Sequence, residues 1–106
     1  MIHNVTVIEL KELLDNKESI TLIDCREQGE WDEAHLEDAT LIPLSNFQNQ
    51  YADILKDKDA KILIHCRSGK RSLQACQLLM QEGYSNLSNI EGGILAWDQN
   101  GFPVVR

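Results

Sequence analysis

The sequence predicts an α/β protein built on a parallel sheet covered on both faces by helices. Three observations predict it. Short apolar, β-prone runs alternate with segments whose apolar residues recur at helical spacing. That alternation amounts to about five strands and four or five helices, the pattern of strands joined by helical crossovers. No repeat, linker or low-complexity tract interrupts it.

The elements follow in order. Val5-Thr6-Val7-Ile8 is a short β-prone run, and 9–18 places Leu10, Leu13 and Leu14 at helical spacing. Thr21 to Cys25 reads as a buried strand that includes Asp24 near its end. Residues 28–39 suit one or two helical turns, and Thr40-Leu41-Ile42 is a brief strand stopped by Pro43. Ser45 is a candidate cap for a helix over 46–55. Lys61 to His65 is the clearest strand. A loop and then a helix occupy 68–83, with Leu73, Cys76, Gln77 and Met80 in repeating positions and Gly83 ending it. Leu87 to Ile90 reads as the last strand. Gly92-Gly93 opens a short helix over 94–100, closed by Gly101.

A chain of 106 residues suggests one domain over 1–106, and a hydrophobic fraction of 42% supplies one modest core. Net charge is -7, from 17 acidic and 10 basic residues. An acidic surface argues against non-specific nucleic-acid or anionic-membrane partners. The first 18 residues carry charges where a signal peptide has its apolar stretch, and no apolar run approaches the ~20 residues of a membrane span. Three cysteines, an odd number with no CxxC, do not make a disulfide framework. A reducing, cytoplasmic setting is the simplest expectation.

Against this acidic background, HCRSGKRS at 65–72 gathers Arg67, Lys70 and Arg71 around Cys66. In an open α/β sheet, ligands bind beyond the carboxyl ends of the strands, where Cys66 is expected. A loop entering a helix N-terminus turns several backbone N–H groups into one concavity, which attracts anions. Gly69 suits the tight backbone of such a loop. The same field favours thiolate over thiol, bringing a cysteine from ~8.5 into the ~3.5–7.5 range. The result is a nucleophilic sulfur in an anion cradle, with no need of a metal or a histidine base. No cofactor is called for, and no HxH or CxxC supports a metal site. The plainer reading is a small buried hydrophobe beside solvated basic residues, and spacing alone leaves both open.

CRSGKRS resembles the active-site loop of the rhodanese sulfurtransferases. LIDCREQGEWDEAHLEDATLIPL resembles their early block and IEGGILAWDQNGFPV their closing block, so the likeness spans nearly the whole chain. The resemblance implies a rhodanese-like three-layer sandwich with a five-stranded parallel sheet, in its single-domain form. It implies that Cys66 carries a sulfane sulfur as a persulfide. The donor would be a small anion such as thiosulfate or another persulfide. Cyanide, a thiol or a protein thiol would be the acceptor. Arg67, Ser68, Gly69, Lys70, Arg71 and Ser72 become the expected substrate-binding loop.

Two rivals stand beside it. Related cysteine phosphatases use a loop one residue longer between cysteine and arginine, whereas here Arg71 follows Cys66 by five positions and Ser72 holds the sixth. A sulfur-sensing or protein-interaction module would keep the loop and turn over poorly.

Asp24 and Arg26 match the family's aspartate–arginine pair and His35 its histidine; all three are expected to support the architecture. Trp97 is expected in the core and Trp31 partly exposed near the active face. Cys25 departs from the family pattern, which more often has an aliphatic residue there. It either packs or serves as a second redox thiol, since it and Cys66 both end candidate strands. Cys76, ten residues further along the following helix, is roughly 10 Å or more from Cys66, too far to pair directly. His65 is expected to be packed at the strand end.

Overall fold

The computed structural model describes residues 1–106. Five strands, β1 (Ile2–Val5), β2 (Thr21–Asp24), β3 (Ala39–Leu41), β4 (Ile62–His65) and β5 (Leu87–Ile90), form one sheet. Every pairing is parallel, and the order is β1-β5-β4-β2-β3. The helices are α1 (Val7–Asp15), α2 (Gln28–Glu33), α3 (Phe47–Ile54), α4 (Lys70–Gln81) and α5 (Gly93–Gln99). None is long and apolar enough to cross a membrane.

β4 is the middle strand, and all four of its residues are buried. Its side chains alternate between two cores, as a strand requires. On one face Leu63 joins Leu22 and Ile90 against Val7 and Leu10 of α1 and Trp97 of α5. On the other, Ile62 and Ile64 join Ile23 and Leu87 against Phe47 of α3 and Ala75, Cys76 and Leu79 of α4. Each fully buried leucine or isoleucine contributes roughly 1.5–3 kcal/mol. The two cores clamp β4, so its carboxyl end is a fixed platform.

Three local expectations change. The β-prone run at 5–8 is divided, with β1 ending at Val5 and α1 beginning at Val7. A reciprocal cap decides this: the Glu9 N–H donates to Thr6 Oγ1 at 3.1 Å, and the Thr6 N–H donates to Glu9 Oε1 at 3.2 Å. Helical spacing then buries Val7 and Leu10 together. Ser45 does not cap α3. After Pro43 the chain tightens into a 3-10 turn over Leu44–Asn46, and the Ser45 hydroxyl donates to Glu27 Oε1 at 2.5 Å. The last helix begins at Gly93 rather than 94, and Gly92 and Gly93 turn the chain into it with positive φ values of 76° and 52°.

Candidate active site

Cys66 leaves the carboxyl end of β4 and α4 begins at Lys70, so the intervening loop is only four residues long. Gly69 sits at φ +110°, a conformation that L side chains rarely adopt, and turns the chain into the helix. Its N–H donates to the Cys66 sulfur at 3.0 Å. The Ser72 hydroxyl lies 3.5 Å from the same sulfur and 2.5 Å from Asn89 Oδ1. One hydroxyl proton is shared between these two acceptors, the Asn89 contact being the shorter. Asn89 is oriented in turn, because its Nδ2 donates to Gly69 O at 3.2 Å. β5 thereby ties down the helix end of the loop.

The loop is gripped from α5 as well. The Ile94 N–H donates to Cys66 O at 2.9 Å and the Leu95 N–H to Arg67 O at 3.1 Å. These carbonyls are drawn away from the sulfur side.

The sulfur's environment lowers the Cys66 thiol to about 4. The largest cause is the Cys25 thiol, which acts on it as a hydrogen-bond donor. Burial opposes the shift, while Ser72 and the Gly69 N–H support it. Cys25 itself moves strongly upward, chiefly through the same hydrogen bond and through burial. Cys76 is buried on α4 beside Ser88 O, and burial pushes it up to about 12.

His65 does not serve the sulfur. Its Nδ1 lies 3.1 Å from Cys66 O and its Nε2 3.7 Å from Asp24 Oδ2. Burial holds its pKa below the usual imidazole value, so it is neutral near pH 7.

A pH prediction follows from this geometry. The alkylation rate of Cys66 by iodoacetamide should rise through a midpoint near 4 and be flat at neutral pH. The sign follows from a lowered pKa, since the thiolate persists until pH falls to the folded-state value. A rate still climbing at ~8.5, the ordinary thiol range, would contradict it.

The basic loop residues differ in placement. Arg71 makes a two-pronged pair with Glu30 of α2, at 2.6 and 2.8 Å. This pairing lowers Glu30 to about 2 and raises Arg71. Arg67, Ser68 and Lys70 are exposed. Arg67 enters no ion pair.

Asp24 is fully buried and accepts from the Arg26 backbone N–H at 2.9 Å, from its Nε at 3.1 Å and from its NH2 at 2.8 Å. The same guanidinium donates to Ala34 O at 2.7 Å, holding the end of α2. His35 stacks on Trp31 with ring centroids 3.8 Å apart, and its backbone bridges to Val105. Trp97 is buried, and its Nε1 donates to Pro103 O at 2.8 Å.

Sequence reasoning did not single out Glu30 or Asn89, and read Gly93 only as the opening of the last helix. Asn89 had one available signal, a large polar side chain within a strand read between Leu87 and Ile90. Glu30 had none, because its partner Arg71 lies 41 positions away.

The fold and this loop define an α/β domain with a buried cysteine just past the end of its middle strand. A family model described as a Rhodanese-like domain matches residues 6–100. The chain belongs to that family. A sulfurtransferase of Allochromatium vinosum is 37% identical over 105 residues, covering 99% of this chain and 96% of that protein. A probable adenylyltransferase/sulfurtransferase of Mycobacterium tuberculosis is 33% identical over 93 residues; the match covers 88% of this chain but only 24% of that longer protein. Among solved structures, a rhodanese-related protein of Thermoplasma volcanium superposes with a TM-score of 0.83 at 30% identity, covering 97% of each chain.

Proposed function

We propose that the protein is a sulfurtransferase that carries a sulfane sulfur as a persulfide on Cys66. The observation that carries this reading is the placement of the Cys66 sulfur between the end of β4 and the start of α4, where it accepts the Gly69 N–H at 3.0 Å; this setting lowers its pKa. A thiolate at neutral pH is the reactive form for attack on a sulfur donor. The similarity to the Allochromatium vinosum sulfurtransferase, over almost the full length of both chains, supports the same class.

With thiosulfate as donor, the Cys66 thiolate attacks the outer sulfur. The sulfur–sulfur bond of thiosulfate breaks, and sulfite leaves with its electron pair. A thiophilic acceptor, whether cyanide, a small thiol or a protein thiol, then attacks the outer sulfur of the persulfide and frees the Cys66 thiolate. Lys70 and Arg67, exposed on the loop, supply positive charge for an anionic donor. Arg71 is already paired with Glu30, so its charge is largely offset in the unloaded state.

Intact-mass measurement immediately after exposure to thiosulfate tests the reading. The expected result is an adduct of about 32 Da, one sulfur, removed by cyanide and absent in Cys66→Ser. An unchanged mass with both thiosulfate and polysulfide would overturn it. A parallel assay with an aryl phosphate should show no Cys66-dependent hydrolysis. Phosphoryl transfer needs donors placed around the equatorial oxygens, which the shorter loop does not offer.

A further inference from the structure

The proposed transfer uses one thiol, yet a second faces the same sulfur. Cys25 lies one residue beyond β2 and Cys66 one residue beyond β4. These strands are neighbours, with Asp24 opposite His65. The Cys25 N–H donates to His65 O at 2.9 Å, so the ladder continues past the last paired residues. Side-chain alternation places His65 among Val7, Leu10 and Trp97, and Cys25 and Cys66 together on the opposite face with Ile23 and Ile64. Residues opposed on adjacent strands sit about 4.8 Å apart, inside the roughly 4.4–6.8 Å range of disulfide-bonded Cα atoms. Both thiols are free and essentially buried, at 0% and 1% exposure.

We propose that Cys25 is a resolving thiol for the Cys66 persulfide, releasing the carried sulfur as sulfide and leaving a Cys25–Cys66 disulfide. This rests on the reading of Cys66 as the sulfur carrier. Cys25 Sγ attacks Cys66 Sγ, and the bond from Cys66 to the outer sulfur breaks. The outer sulfur leaves with the electron pair, takes the Cys25 proton and departs as HS⁻. The sulfane sulfur is reduced by two electrons, which the cysteine pair supplies as it becomes a disulfide. No external oxidant is needed, and a dithiol reductant restores both thiols.

The arrangement makes this step conditional on loading. In the unloaded protein, the Cys66 thiolate opposes a second negative charge beside it and keeps Cys25 protonated. Loading moves the negative charge to the outer sulfur and makes Cys66 Sγ electrophilic. Burial shields Cys25 from bulk thiols, so Cys66 is the sulfur it meets. The persulfide then has a limited lifetime when no acceptor arrives.

The test follows the loaded chain over time. Reduced protein is loaded with thiosulfate, freed of excess donor, and held without oxygen or acceptor. Samples are quenched in acid for intact mass, peptide mapping and sulfide determination. In the wild-type chain the adduct of about 32 Da should decay to a species about 2 Da lighter than the reduced protein. About one equivalent of sulfide should appear, with a peptide pair linked through Cys25 and Cys66 and reversed by dithiothreitol. In Cys25→Ser and Cys25→Ala the adduct should last at least about tenfold longer, with no sulfide burst.

A wild-type adduct that persists without the linked peptide overturns the resolving role and leaves the persulfide reading intact. That wild-type result decides the matter even if neither variant folds. Linkage of Cys66 to Cys76 instead would also overturn it. No adduct in any chain would remove the carrier reading and this inference with it.

Discussion

Replacing Gly93 with alanine should reduce persulfide formation at Cys66 by about a hundredfold or more, although residue 93 carries no reacting atom. A Cβ built there lies 2.4 Å from Cys66 O and 2.5 Å from Arg67 O, both backbone atoms with little freedom to yield. Gly93 also holds φ at +52°, which costs an alanine of order 1–3 kcal/mol. The loop must therefore retreat from α5. That breaks the Ile94 and Leu95 hydrogen bonds that draw its carbonyls away from the sulfur. A displacement of about 1 Å is enough for the expected loss. Gly29→Ala is the matched control, since nothing lies within 4 Å of the added methyl. Rates of adduct formation and the pH profile of Cys66 alkylation would be compared in the two variants. Wild-type values in Gly93→Ala would show that the α5 contact does not shape the loop.

Arg26→Ala should destabilise the protein by about 3–5 kcal/mol in urea unfolding. The reason is the carboxylate left behind. Asp24 has no exposed surface, and apart from the residue 26 backbone N–H its hydrogen-bond donors belong to the Arg26 side chain. Removing the guanidinium strands a buried charge, whose desolvation is no longer offset. The end of α2 loosens too, because Ala34 O loses its donor at 2.7 Å. A double variant, Asp24→Leu with Arg26→Met, removes both charges and should lose less than Arg26→Ala alone. A loss under about 1 kcal/mol for Arg26→Ala would mean that the pair behaves as a solvated surface pair.

Residues differ in how far their roles can be read before folding. β5 spans Leu87–Ile90 in the structure, the same residues read from the sequence as the last strand. β4 is clear because a continuous apolar run in a parallel sheet is buried on both faces. Boundaries shift where a side chain competes for the backbone. Thr6 belongs to a β-prone run by composition, but its hydroxyl and Glu9 together satisfy helix-end N–H groups that a strand would not present. Ser45 has the chemistry of a cap, yet a carboxylate from Glu27, 18 positions earlier, takes its hydroxyl.

The sequence by itself determined the alternation of strands and helices, the position of Cys66 between β4 and α4, and the glycine that turns this loop. These depend on side-chain periodicity and backbone conformation over a few neighbouring residues. The tertiary structure alone decided that Glu30 holds Arg71, that Asn89 bridges Ser72 to Gly69, and that Gly93 lies against the carbonyls of Cys66 and Arg67. It also decided that Cys25 faces Cys66, because the strand order sets β2 beside β4. Each of these pairs joins segments well separated in the chain. Their meeting depends on which strands become neighbours and on which face each helix covers, choices made by burial across the whole sheet rather than by any local spacing.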